Sequence, residues 1–258
     1  MPRHLTYFVS DVHLGLDVAD PSGREARFVA FLRGIPAAET ESLYLLGDIW
    51  DFWYEYRDVV PKGYTRVFAA LQDLMDAGVK VFFFQGNHDI WTYSYFEELG
   101  MKRCVQPYVT ETGGTKFCLG HGDGLGPGMH GYKLMRRGFH SRFLQRCFSA
   151  LHPWFAFRLG NGWSRKSRLG KNIGYTFQGE EEPFVQVLRV FPGTGRLFRL
   201  RTLSLFRGPS GRKRQAPHPA RLAHPFQLDG VRCRGGDPFL CGTLTGALFA
   251  MCILRART

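Results

Sequence analysis

Val79-Lys80-Val81-Phe82-Phe83-Phe84-Gln85-Gly86-Asn87-His88-Asp89 decides the fold. The run Val79 to Phe84 is too short for a buried helix and rich in aromatic residues, so it reads as a buried strand. It stops abruptly at Gly86-Asn87-His88-Asp89. Working outward, the same pattern recurs. Leu5 to Val9 is apolar and ends at Ser10-Asp11, and Leu43 to Leu46 ends at Gly47-Asp48. A fourth run, Lys116 to Leu119, ends at Gly120-His121. Between these strands, Arg24 to Arg33 carries Phe28, Phe31 and Leu32 on one helical face, and Tyr64 to Met75 also reads as a helix. Strands alternating with helices predict an α/β layered fold. In each case the polar residues fall just past the carboxyl end of a strand, where open α/β sheets place their ligands.

Those strand ends collect Asp11, His13, Asp48, Asn87, His88 and His121. A mixture of carboxylate, amide and imidazole donors suits divalent ions such as Mn²⁺, Zn²⁺ or Fe²⁺ rather than a thiolate-bound metal. The Asp11-x-His13 spacing lets one loop offer two ligands to one ion. Asp48 can bridge, because a carboxylate has two oxygens and paired metals lie ~3.5–4 Å apart. Each residue alone is more simply a cap or turn residue. Four clusters at successive strand ends are not explained by turns.

The chain has 258 residues, of which 44% are hydrophobic, enough for one large domain or two small ones with a real core. It contains no apolar run long enough to span a membrane. Its start lacks an apolar segment followed by a small-residue cleavage site, so secretion by a signal peptide is not expected. The six cysteines form no CxxC pair, which disfavours a zinc ribbon and points to reduced cytosolic thiols. No GxxxxGK[ST] loop is present, which disfavours nucleotide hydrolysis of that kind, and no GxSxG elbow suggests covalent catalysis.

Net charge is +12, but it is unevenly distributed. From Val190 onward 12 basic residues face only Asp229 and Asp237, whereas the first 189 residues hold 22 basic and 20 acidic residues. A nucleic-acid-binding protein using this basic tail is therefore a competing reading, which salt-sensitive DNA binding by the tail alone would favour. Its tail has scattered Phe and no Tyr or Trp platform, so no nucleic-acid partner is expected.

Together, Ser10-Asp11-Val12-His13, Gly47-Asp48, Gly86-Asn87-His88-Asp89 and Gly120-His121-Gly122-Asp123 resemble the calcineurin-like metallophosphoesterases. The resemblance implies a two-metal site on a β-sandwich flanked by helices. Asp11 and His13 would hold one metal, Asp48 would bridge, and Asn87 and His121 would hold the second. His88 would act beside the scissile phosphate as acid or electrostatic stabiliser. Manganese is the expected metal, with zinc or iron as alternatives.

The stretches His121 to Arg137, Leu151 to Phe155 and Trp163 to Arg168 are similar to the branch of that family acting in lipid A biosynthesis. That likeness implies hydrolysis of the pyrophosphate of UDP-2,3-diacylglucosamine to UMP and 2,3-diacylglucosamine 1-phosphate. A helical insertion over about residues 126–180 would hold the acyl chains. Tyr132, Ser164, Arg165 and Arg168 would match substrate contacts, while Met129 stands where an Asp is expected. The partners implied are a lipid-linked nucleotide and a membrane surface, with a cytoplasmic, peripheral location on the inner membrane. An ordinary pair of surface helices over Tyr132 to Arg146 and Trp154 to Leu159 is the plainer reading, as is a solvated basic face for Trp163 to Arg168. Another phosphomonoester or phosphodiester substrate on the same fold is the enzymatic alternative.

The family closes its site with a later Gly-His-x-His, which this chain lacks. His218 and His224 have the wrong spacing. The missing motif and the charge jump both point to a reading-frame change in the gene. Read from the third base of the intended codons, Leu197 to Ser204 is compatible with a hidden Phe-Gly-His-Cys-His; a genuine basic tail is the alternative. The expected organisation is a domain over 1–195 and a basic, poorly ordered tail over 196–258, with the C-terminal part of the sandwich missing and little regular structure beyond about Arg196.

Overall fold

The computed structural model describes residues 3–16, 21–112, 115–121, 130–171, 228–231, 239–244 and 250–255. Strand β1 (Leu5–Ser10) leads to helix α1 (Pro21–Gly34), then β2 (Thr40–Leu45), α2 (Thr65–Asp76) and β3 (Lys80–Phe84). A short helix α3 (Tyr95–Glu98) precedes β4 (Lys102–Cys104), and β5 (Tyr108–Thr112) and β6 (Thr115–Leu119) follow. Helices α4 (His130–Phe139), α5 (Arg142–Ser149) and α6 (Pro153–Lys171) form the insertion. Strands β7 (Leu228–Val231), β8 (Phe239–Leu244) and β9 (Ala250–Arg255) come last.

One seven-stranded sheet runs β4-β3-β2-β1-β9-β8-β7 and a second consists of β5 and β6. Strands β1 to β4 pair in parallel, as βαβ crossovers dictate. Alternation sorts their side chains onto two cores. Tyr7, Val9, Leu43, Leu45, Val81 and Phe83 pack on the helical side, where α1 supplies Phe28, Phe31 and Leu32 and α2 supplies Val67 and Leu71. Phe8, Tyr44, Leu46, Phe82 and Phe84 turn the other way, onto Phe117 and Leu119 of β6. All six residues of β1 are buried because both faces are covered. Trp50 and Trp53, both fully buried, stack into the helical core with Phe96, at ring separations of 4.7 and 4.9 Å.

The structure amends the sequence reading in three places. Lys116 to Leu119 is a strand as expected, but it lies apart from the main sheet, in the antiparallel hairpin β5–β6 across the second face. The helix expected over Tyr132 to Arg146 is two helices, broken at Ser141, whose extended backbone (ψ 116°) starts α5. Beyond Arg196, the expectation of little regular structure is corrected for three segments. Strand β9 pairs antiparallel with β1, Leu5 opposite Arg255 and Ser10 opposite Ala250, and β8 and β7 continue the sheet. His218 and His224 lie outside the described residues.

Candidate metal centre

The β1–β2 pairing does not stop where the strands end. Asp11 N–H donates to Gly47 O (3.1 Å), His13 N–H to Asp48 O (2.9 Å), Leu14 N–H to Ile49 O (2.8 Å) and Asp51 N–H to Leu14 O (2.9 Å). Loops 11–14 and 47–51 therefore run side by side and bring Asp11, His13, Asp48 and Asp51 together. Asp11, His13 and Asp48 hold left-handed backbones, with φ of 56°, 51° and 53°. Among non-glycine residues Asp and His are enriched in this region, and functional sites concentrate such conformations. Arg24 of α1, buried, donates from Nη1 to His13 O at 3.0 Å and secures that turn. From the neighbouring strand, His88 N–H donates to Asp48 Oδ1 at 2.9 Å. His121 arrives from β6 and completes the cluster.

Proton placement in the imidazoles follows from their partners. His121 Nδ1 lies 3.2 Å from Leu46 O and His88 Nδ1 lies 2.9 Å from Asp51 O. A carbonyl only accepts, so in both rings Nδ1 carries the hydrogen. His121 Nε2 then presents a lone pair 3.4 Å from Asp48 Oδ2 and 3.3 Å from Asn87 Oδ1, itself an acceptor. His13 uses Nδ1 toward Asp51 Oδ1 (3.5 Å) and turns Nε2 to Asp11 Oδ1 (3.8 Å) and Asp48 Oδ2 (3.9 Å). Lone pairs facing one another across such gaps call for cations between them. Among the described residues, two groups meet ligand spacing: Asp11, Asp48 and His121, and His13, Asp51 and His88. Carboxylate, amide and imidazole donors of this kind fit divalent metal.

Burial alone would raise the Asp48 carboxyl, but His121, His13 and His88 outweigh it and hold the group down at about 2. Behind it, fully buried Asp89 accepts N–H bonds from Gly86 (2.7 Å), Ile49 (2.8 Å), Asp48 (3.2 Å) and Trp50 (3.3 Å). Burial and the Asp48 charge push its own carboxyl up to about 7, against the pull of the Gly86 N–H, His121 and the Trp50 N–H. Gly86 is required by close approach, since a Cβ there would collide with the Asp48 carboxylate.

The six strand-end residues expected from sequence thus converge. One participant escaped that reading. Asp51, buried, faces both His13 Nδ1 and His88 Nδ1 (3.9 Å) through Oδ1. Ser164, expected as a substrate contact, donates its hydroxyl to Asp51 Oδ2 at 2.7 Å and lies 3.1 Å from His88 Nδ1. The backbones of Tyr132, Arg165 and Arg168 belong to α4 and α6, while their side chains, and Met129, lie outside the described residues.

A cavity of about 650 Å³ opens beside the centre. Its polar end is formed by Asp51, Asn87, His88 and Ser164, and its apolar wall includes Trp91, Phe139, Phe148, Leu159 and Trp163. The insertion is fastened over this cavity by Tyr54 Oη to Gln145 O (2.8 Å) and Trp91 Nε1 to Phe139 O (2.8 Å).

Residues 5–157 match the profile of the calcineurin-like phosphoesterases, and the chain belongs to that family. Among its relatives, UDP-2,3-diacylglucosamine hydrolase of Porphyromonas gingivalis is 39% identical over 169 residues, which are 64% of this chain and 64% of that protein. The chain thus spans less than two thirds of that relative's length. UDP-2,3-diacylglucosamine hydrolase of Neisseria meningitidis serogroup B is 32% identical over 168 residues, 65% of this chain and 68% of that protein. The crystal structure of Pseudomonas putida nuclease MPE aligns at a TM-score of 0.34 and 25% identity, covering 48% of this chain and 57% of the other.

Proposed function

We propose that this chain hydrolyses the pyrophosphate of UDP-2,3-diacylglucosamine to UMP and 2,3-diacylglucosamine 1-phosphate, using two divalent ions, manganese ahead of zinc or iron. The observation that carries this reading is the cavity, which joins an apolar wall from the insertion to the polar residues of the metal centre. A ligand with acyl chains at one end and phosphates at the other matches that division. The names of the two bacterial relatives support the same substrate.

Asp11, His13, Asp48, Asn87 and His121 would hold the metals. Two divalent ions held by these residues would supply neutralising charge for a pyrophosphate and would lower the pKa of water from 15.7 toward about 7. The chain's own groups do the rest. Asp48 stays ionised between the sites, and Asp89 secures its backbone. His88, with Nδ1–H tied to Asp51 O, would act on the phosphate oxygens through Nε2 as acid or stabiliser in its doubly protonated form. Tyr132, Ser164, Arg165 and Arg168 are proposed to meet the substrate.

Association with the cytoplasmic face of the inner membrane belongs to this reading. Exposed Phe143 and Trp154 on basic helices α5 and α6 support it. None of the described helices is long and apolar enough to cross a membrane. The test is UMP release by the purified, Mn²⁺-loaded chain from UDP-2,3-diacylglucosamine, against cleavage of bis-p-nitrophenyl phosphate. Preference for the lipid nucleotide is expected; equal turnover of both reduces the reading to a generic phosphoesterase.

A further inference from the structure

Helix α6 approaches the metal centre with a row of small residues. Ala156, Gly160 and Ser164 recur every four positions and so share one face of the helix. Ala156 is fully buried and Ser164 nearly so. A Cβ on Gly160 would collide with the ring of Phe52, so the helix lies directly on the segment that follows Asp51. One turn further, Ser164 Oγ donates to Asp51 Oδ2 at 2.7 Å.

Asp51 divides its two oxygens between the insertion and the metal-binding loops. Oδ2 takes the Ser164 hydroxyl, while Oδ1 faces His13 Nδ1 at 3.5 Å. A buried carboxylate with a fixed donor on one oxygen cannot rotate freely, so its other oxygen is aimed. A carboxylate on the far nitrogen of a metal-ligating imidazole sets both its tautomer and its ring orientation. Here that orientation points His13 Nε2 at Asp11 and Asp48.

We propose that Ser164 is a positioning residue: through Asp51 it couples the seating of helix α6 to the metal-binding geometry of His13. The proposal rests on the metal-centre reading but not on the identity of the substrate. A hydroxyl that only touched substrate would leave metal binding untouched when removed. A hydroxyl that aims Asp51 must show its effect before any substrate is present.

The experiment measures Mn²⁺ affinity by titration calorimetry on the full chain, without substrate, for wild type, Ser164→Ala, Ser164→Cys, Asp51→Asn and the double variant Ser164→Ala/Asp51→Asn. Ser164→Ala is expected to weaken one of the two sites by about tenfold, the lower part of the range for outer partners of metal ligands. Ser164→Cys, keeping shape with a weaker donor, should fall between it and wild type. In the double variant Ser164→Ala/Asp51→Asn the losses should not add, because both act through one carboxylate. Unchanged affinity in Ser164→Ala and Ser164→Cys, with a raised KM for substrate, overturns the proposal. Wild type that takes up no divalent metal overturns it together with the metal-centre reading. Metal uptake without UMP release overturns only the substrate assignment.

Discussion

Replacing Asp89 by Ala removes the acceptor for four backbone N–H groups while leaving every expected metal ligand in place. The site is fully buried. In mildly alkaline buffer, where the raised Asp89 carboxyl is ionised, counting only the two short bonds, from Gly86 at 2.7 Å and Ile49 at 2.8 Å, gives roughly 3–6 kcal/mol, because a hydrogen bond to a charged acceptor is worth about 1.5–3 kcal/mol. A water entering the vacated space would recover part of this, so about 3–5 kcal/mol of lost stability is expected. For a domain of this size each kcal/mol moves the melting temperature by about 2–4 °C, which gives a drop of roughly 6–20 °C. The melt is followed by circular dichroism in EDTA, since bound metal would add its own stabilisation. Metal content is measured separately after loading and gel filtration. Asp89→Asn keeps one acceptor and should fall between the two. An Asp89→Ala protein that melts within about 2 °C of wild type and holds its full metal complement would refute the assignment of Asp89 as the anchor of the Asp48 loop.

Asp48→Ala should empty both metal positions whereas Asn87→Ala lowers mainly one, by elemental analysis after Mn²⁺ loading; an unchanged metal content in Asp48→Ala counts against the bridging role. Gly86→Ala forces its Cβ against the Asp48 carboxylate and should cost about 1–3 kcal/mol, with reduced metal uptake. A variant with wild-type melting and metal content would show that the loop tolerates the methyl group. Phe148→Ala widens the apolar wall of the cavity and should raise KM for the lipid nucleotide with no change for bis-p-nitrophenyl phosphate. Loss on both substrates would place Phe148 in the scaffold alone. The coding DNA should show that one inserted or deleted base between the codons of Glu182 and Arg196 brings Gly-His-x-His into register; DNA that offers no such frame leaves the basic tail as genuine.

The parallel half of the fold was legible because each strand is buried on both faces and ends on a polar break, as at Val9, Leu46 and Phe84. The hairpin was less so. Strand β4 has only three residues, two of them exposed, and leaves almost no periodic signal. Tyr108–Thr112 and Thr115–Leu119 flank Gly113-Gly114, a dipeptide that marks hairpins, but the first run is polar enough to read as loop. At the site, Asp11, His13, Asp48, Asn87 and His121 were readable because their chemistry is tied to strand ends. Asp51 was not, because its partners come from β1, β3 and α6, and no local spacing reveals contacts that distant. Ser164 was picked out as a substrate contact, but its place beside Asp51 was not, since that depends on how α6 lies over Phe52. In the C-terminal region the reading of a basic, poorly ordered tail missed three strands, of which β9 pairs with β1, over two hundred residues away.

The left-handed turns at Asp11, His13 and Asp48 set a trade-off between robustness and activity. Each holds an L-residue where that conformation costs roughly 1–2 kcal/mol, a cost glycine does not bear. Selection for thermal tolerance alone, with no demand for turnover, would therefore be drawn to Gly at these positions, His13 first because Asp48 also anchors His88 through its carboxylate. Such a chain would be hardier and inert. Keeping imidazole and carboxylate there marks the loops as shaped for chemistry at some expense of the fold.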